Sequence, residues 1–126
     1  MNYMRYILYI QGIDMNEYEE EKFDEIINYL EDAGIVGNHL SFDYDYDEKT
    51  KTAIIYDGDH YLDGWGYYVE DMTKTSKKFP SLTFKLLGVS TEVDEIWEHY
   101  FKNGESERCD LKVRHPKPKK IQWKKG

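Results

Sequence analysis

A single cysteine, Cys109, leaves this 126-residue chain without any internal disulfide. That usage is the pattern of a reducing compartment. Proline is nearly as scarce, at three residues. No apolar run approaches the roughly 20 residues that a membrane-spanning helix needs. Near the start, only Tyr6 to Ile10 separate Arg5 from Gln11, too short for the apolar region of a secretory signal. A cytoplasmic protein is expected. His39, His60, His99 and His115 show no ligand pairing, and Cys109 has no partner cysteine for a zinc site. No spacing supports a cysteine–histidine nucleophile or any other catalytic signature.

What is present is charge and aromatic area. Charged residues make up 33% of the chain and mean hydropathy is −0.82, yet 16% of residues are aromatic. Disordered chains lack that aromatic content, so a folded body is expected. The length suits one domain. Charge is divided unevenly along it. Arg114, Lys117, Lys119, Lys120, Lys124 and Lys125 stand in the last 13 residues without one acid among them. Removing those six from the 17 bases leaves 11 against all 25 acids, a body at −14. The expected organisation is therefore one domain over residues 1–113 and a basic extended tail over 114–126. An acidic body repels phosphate backbones and competes with them for basic proteins.

Phe79-Pro-Ser-Leu-Thr-Phe-Lys-Leu-Leu-Gly88 is the clearest strand, with Leu82, Phe84 and Leu86 alternating against Thr83, Lys85 and Leu87. A short helix carrying Val69, Met72, Ser76 and Phe79 at near-helical spacing feeds it. Residues 3–11 are apolar or aromatic on both parities and predict a central strand covered on both sides, or nearly so. Asp14 or Asn16 opens a helix whose stripe is Phe23, Ile26, Ile27, Leu30 and Ala33, with Gly34 as a left-handed cap. Leu40 to Tyr46 and Thr52 to Tyr56 predict a hairpin. In residues 90–114 a helical spacing competes with a strand entering a turn at Asn103-Gly104. The Asn-Gly signal favours the hairpin.

Strand, helix, hairpin, helix and strand in that order give an α+β, ferredoxin-like βαββαβ domain. The expectation is an antiparallel sheet with two helices on one face, plus a C-terminal hairpin extension and the tail.

Acidic residues dominate the candidate sites. The helix presents Glu17, Glu20, Glu21 and Asp24 outward, and the first hairpin strand sets Asp43, Asp45 and Asp47 opposite Phe42, Tyr44 and Tyr46. Asp43-x-Asp45-x-Asp47 resembles the start of a calcium loop but fails at its sixth and twelfth positions, Glu48 and Ile54. Asp57, Asp59, His60 and Asp63 could hold a divalent metal, yet no catalytic lysine accompanies them and glycine-rich acidic loops are ordinary turns. No metal or cofactor is expected, and Asp57, Asp59 and Asp63 join the acidic surface expected to meet a partner. In the tail, Lys117, Lys119, Lys120, Lys124 and Lys125 could meet phosphates while Trp123 stacks on a base.

Trp65, Lys78-Phe-Pro-Ser-Leu-Thr-Phe-Lys-Leu-Leu-Gly88, Asp94-Glu-Ile-Trp97 and Tyr100-Phe-Lys-Asn-Gly104 together resemble a group of small ferredoxin-like proteins of bacterial phages and plasmids. The resemblance covers roughly residues 65–104 and carries no catalytic residues. It implies a fold and a mobile-element origin, with action in the cytoplasm of a bacterial host. Joined to the acidic body, it gives the expected function: a non-enzymatic inhibitor of a host nucleic-acid-targeting defence complex, anti-CRISPR-like. The partner would be a nucleic-acid-handling protein with a basic surface. The alternative is a small nucleic-acid-binding module acting through its tail. Exposed sheet edges leave pairing into a homodimer open.

Overall fold

Tyr6, Leu8 and Ile10 alternate with Ile7 and Tyr9 in β1 (Met4–Gln11), and only the first set is sealed from solvent. Successive side chains of a strand point to opposite faces, so this alternation marks a sheet with one covered face. The computed structural model describes residues 4–14, 20–57, 65–90 and 95–111, and of Glu20 and Asp57 the backbone alone. After β1 come α1 (Glu20–Asp32), β2 (Leu40–Asp47), β3 (Thr52–Asp57), α2 (Tyr68–Lys78), β4 (Thr83–Ser90), β5 (Ile96–Lys102) and β6 (Glu105–Leu111). All six strands join one antiparallel sheet in the order β2-β3-β1-β4-β5-β6.

That order corrects the expectation of a simple ferredoxin-like βαββαβ domain with a separate hairpin. β5 pairs along β4 from Phe84↔Phe101 to Val89↔Ile96, and β6 pairs along β5, so the C-terminal strands widen the main sheet to six. Burial is the cause. Trp97, His99 and Phe101 turn toward the covered face, and this gives β5 its own share of the core. Asn103 and Gly104 both take positive φ, 48° and 81°, the pair that a type I′ hairpin turn demands. Sequence reading of β1 needs correction too: Ile7 and Tyr9 are only half-buried, because both helices pack on the other face.

The helices are held by different devices. α1 buries Phe23, Ile26 and Leu30, whereas Ile27 is half-buried and Ala33, expected on that stripe, lies past the helix end and is exposed. Its end is a Schellman motif: Ile35 N–H donates to Leu30 O at 2.8 Å and Gly34 N–H to Glu31 O at 3.0 Å, with Gly34 at φ 75°. The helix start over 15–19, with Asn16, lies outside the described residues, and Asp14, the other expected cap, pairs with Lys51 at 3.4 Å. α2 buries Met72, Thr75 and Ser76, whereas Val69, expected on that stripe, is exposed. Thr75 is tolerated inside because its hydroxyl donates to Asp71 O at 2.8 Å. Ser76 Oγ accepts the Gly104 N–H at 2.9 Å and ties α2 to the β5–β6 turn.

Candidate interaction surface

Among the described residues β2 is the last strand on its side of the sheet, with Leu40 bridged to Val36. Pairing to β3 runs from Tyr44↔Ile55 to Asp47↔Thr52, after an irregularity between Leu40 and Tyr44. Tyr44 faces the helices and meets the Phe23 ring at 4.7 Å. Tyr46 shares that side and donates its hydroxyl to Ile13 O at 2.5 Å. Asp45, opposite Ile54, therefore points to the open face, where it accepts the Tyr56 hydroxyl. That carboxylate partner holds the Tyr56 phenol above its ordinary range. Phe42 and Tyr44 remain 57% and 45% exposed, so the edge is aromatic as well as acidic.

The predicted acidic residues that the structure describes lie in two places. Asp43, Asp45 and Asp47 are exposed on β2, and Glu21 and Asp24 are exposed on α1. The Phe23–Tyr44 contact brings α1 over the β2 end of the sheet, so the two groups flank one edge from opposite faces. Glu17, the side chains of Glu20 and Asp57, Asp59 and Asp63 lie outside the described residues. So do Lys117, Lys119, Lys120, Trp123, Lys124 and Lys125.

Described ion pairs join Lys51 to Asp14, Lys74 to Glu70, Lys85 to Glu98, and Arg108 to both Glu95 and Asp110. Among the described residues, no lysine or arginine forms an ion pair with Asp43, Asp45, Asp47, Glu21 or Asp24. A shallow depression of about 660 Å³ lies beside Asp45, Asp47 and Ile54 on the β2–β3 hairpin. Among the described residues no three histidine, cysteine, aspartate or glutamate side chains converge as metal ligands would.

A second cluster, which no sequence spacing announced, joins α2 to the last hairpin. Tyr68 stacks on Trp97 at 4.7 Å, its hydroxyl lies 3.1 Å from His99 Nδ1, and Arg108 sits 4.9 Å above the Trp97 ring. Arg108 is already engaged by Glu95 and Asp110, which leaves its charge compensated. Nearby, His39 stacks on Trp65 at 4.9 Å, and Trp65 Nε1 donates to Asp71 at 2.8 Å. Helix, loop and strand meet here only in three dimensions, so no period in the sequence could have revealed the cluster.

Both histidines are depressed below the ordinary value of 6.5. Burial lowers His39, opposed by Asp71, while burial and then the Arg108 charge lower His99. A depressed histidine binds its proton more tightly in the unfolded chain. Stability is therefore complete above pH 6.5 and falls as pH drops below it toward the folded-state values. Melting temperature followed from pH 7.5 to 5.5 should decline, and His99→Gln should flatten the decline. A melting temperature that rises over this range would contradict the assignment.

Comparison with protein-family models, with curated proteins and with solved structures gives no match. No helix among the described residues is long and apolar enough to cross a membrane.

Proposed function

We propose that the chain is a non-enzymatic binding protein that occupies a basic, nucleic-acid-handling surface on another protein. One observation supports this reading above the others: exposed acids of β2 (Asp43, Asp45 and Asp47) and of α1 (Glu21 and Asp24) gather about one edge of the sheet and have no ion-pair partner among the described residues. Uncompensated charge of one sign steers association with the opposite sign, and it excludes phosphate. The target class, a nucleic-acid-targeting defence complex of the CRISPR-effector kind, comes from the resemblance of residues 65–104 to phage- and plasmid-borne proteins.

Purified RNA-guided effectors assayed for target cleavage provide the test. The full chain should inhibit at least one of them, and inhibition should weaken as salt rises, because exposed charges are screened over about 8 Å at physiological salt. Asp43→Lys, Asp45→Lys and Asp47→Lys together should relieve inhibition while the melting temperature stays near wild type, since all three side chains are exposed. Inhibition that survives both this triple reversal and the same treatment of Glu20, Glu21 and Asp24 sinks the acidic-surface reading. Direct, salt-sensitive binding to DNA or RNA, lost on removing residues 114–126, would put the tail in its place.

A further inference from the structure

We infer that the uncovered face of the sheet is the docking site of the chain's own C-terminal segment, residues 112–126. An antiparallel sheet with one solvated face ordinarily turns polar residues outward. Here the outward parity carries Ile7 and Tyr9 on β1, Ile54 on β3, Leu87 and Val89 on β4, and Ile96 on β5, all half-buried. Register makes them one patch. Ile7 stands opposite Leu87, Tyr9 opposite Ile54, and Val89 opposite Ile96. Contiguous apolar area of this kind marks an interaction site.

Charge decides what covers the patch. Side chains directly opposite across a strand pair share one face. One such row crosses all six strands: Asp45, Ile54, Tyr9, Lys85, Tyr100 and Glu107. Its ends are acidic, and neither Asp45 nor Glu107 forms an ion pair among the described residues. Lys85, the one base in the row, lies 4.3 Å from the centre of the Tyr9 ring and 3.8 Å from Glu98, so its charge is already engaged. A matching occupant is basic, free of acids and apolar at intervals. Residues 112–126 add Lys112 to the six bases already named and hold no acid, with Val113, Ile121 and Trp123 set between bases. The segment is also long enough. It follows Leu111, which stands opposite Ile96 at the margin of the patch. The five gaps from β6 to β2 amount to about 24 Å at about 4.8 Å each. Fifteen extended residues reach about 50 Å, enough to set bases beside both Glu107 and Asp45.

A second copy is the competing occupant, and the same row argues against it. With the strands of two such faces aligned, the acidic β2 and β6 edges of one copy would meet those of the other. Like charges brought together repel. The inference does not depend on the partner proposed above, although both readings use Asp45. A basic partner that takes this carboxylate would have to displace the segment.

NMR on the isotope-labelled full chain provides the test. Nuclear Overhauser contacts should join Ile121 or Trp123 to Ile7, Ile54 or Leu87. Ile121→Ala with Trp123→Ala should abolish them and shift the signals of the outward face, leaving Leu8 and Leu86 on the covered face in place. No contact to the outward face, or outward-face signals that do not move in the double alanine variant, overturns the inference and leaves the acidic-surface reading standing. Contacts to α1 instead overturn the choice of face. A mixture of labelled and unlabelled chains should show the contacts within one molecule, and contacts between molecules overturn the inference in favour of a second copy. Asp45→Lys with Glu107→Lys should weaken the contacts at least twofold. Contacts unchanged by that reversal overturn the charge argument on which the choice of occupant rests.

Discussion

Phe84→Ala is expected to cost about 3–5 kcal/mol, the usual range for deleting a buried aromatic ring. Phe84 lies in β4, with Ile10 of β1 opposite it on one side and Phe101 of β5 on the other, and its side chain is fully buried. The two strands beside it and the helices over it are fixed by other contacts, so the site cannot collapse onto the smaller side chain. Against a typical total of about 5–15 kcal/mol, the variant would be marginal at room temperature. Urea unfolding measures this directly. A midpoint within error of wild type would show that β4 is not central to the core.

Gly88→Ala should be damaging for the opposite reason, too much volume. Gly88 stands opposite Trp97 in the β4–β5 pair, and the indole lies over it. A Cβ added there would fall 2.3 Å from Trp97 Cζ2 and 2.4 Å from Cε2. Trp97 must then leave a site in which it is buried, stacked on Tyr68 and covered by Arg108. Overpacking of this kind costs about 1–3 kcal/mol. Loss of the aromatic stack adds about 0.5–1.5 kcal/mol. Thermal unfolding should show a fall of roughly 6–17 °C, since each kcal/mol moves a domain of this length by about 4 °C. Trp97→Phe, with a smaller ring, should be less harmful in the Gly88→Ala background than in the wild-type chain. A double-mutant cycle with no coupling between the two positions would show that the clash is relieved elsewhere.

These two positions show how differently the sequence carries its information. Phe84 was legible because it sits on the inner parity of an alternating run. Gly88 was legible only as punctuation, and the expectation that it ends the strand was wrong: β4 continues to Ser90. A glycine in a strand signals either an end or the close approach of something large. Which one applies depends on Trp97, nine residues away and on another strand. The acidic edge was half legible in the same sense. Aspartates alternating with aromatics gave two faces to β2. That β2 would close one side of the sheet, rather than lie inside it, came from the sheet order.

The sequence by itself determined the local elements: the inner parity of β4, the Phe23, Ile26 and Leu30 stripe of α1, its Gly34 cap and the Asn103-Gly104 turn. Each follows from steric preferences within a few residues, repeating at 2.0 or 3.6 positions or set by backbone φ. Tertiary structure alone decided which strands became neighbours, that the C-terminal hairpin widens the sheet to six strands, and that Tyr68, His99 and Arg108 meet. Pairing partners are selected by burial and hydrogen bonding between segments far apart in the chain, and that competition leaves no period in the sequence for a reader to find.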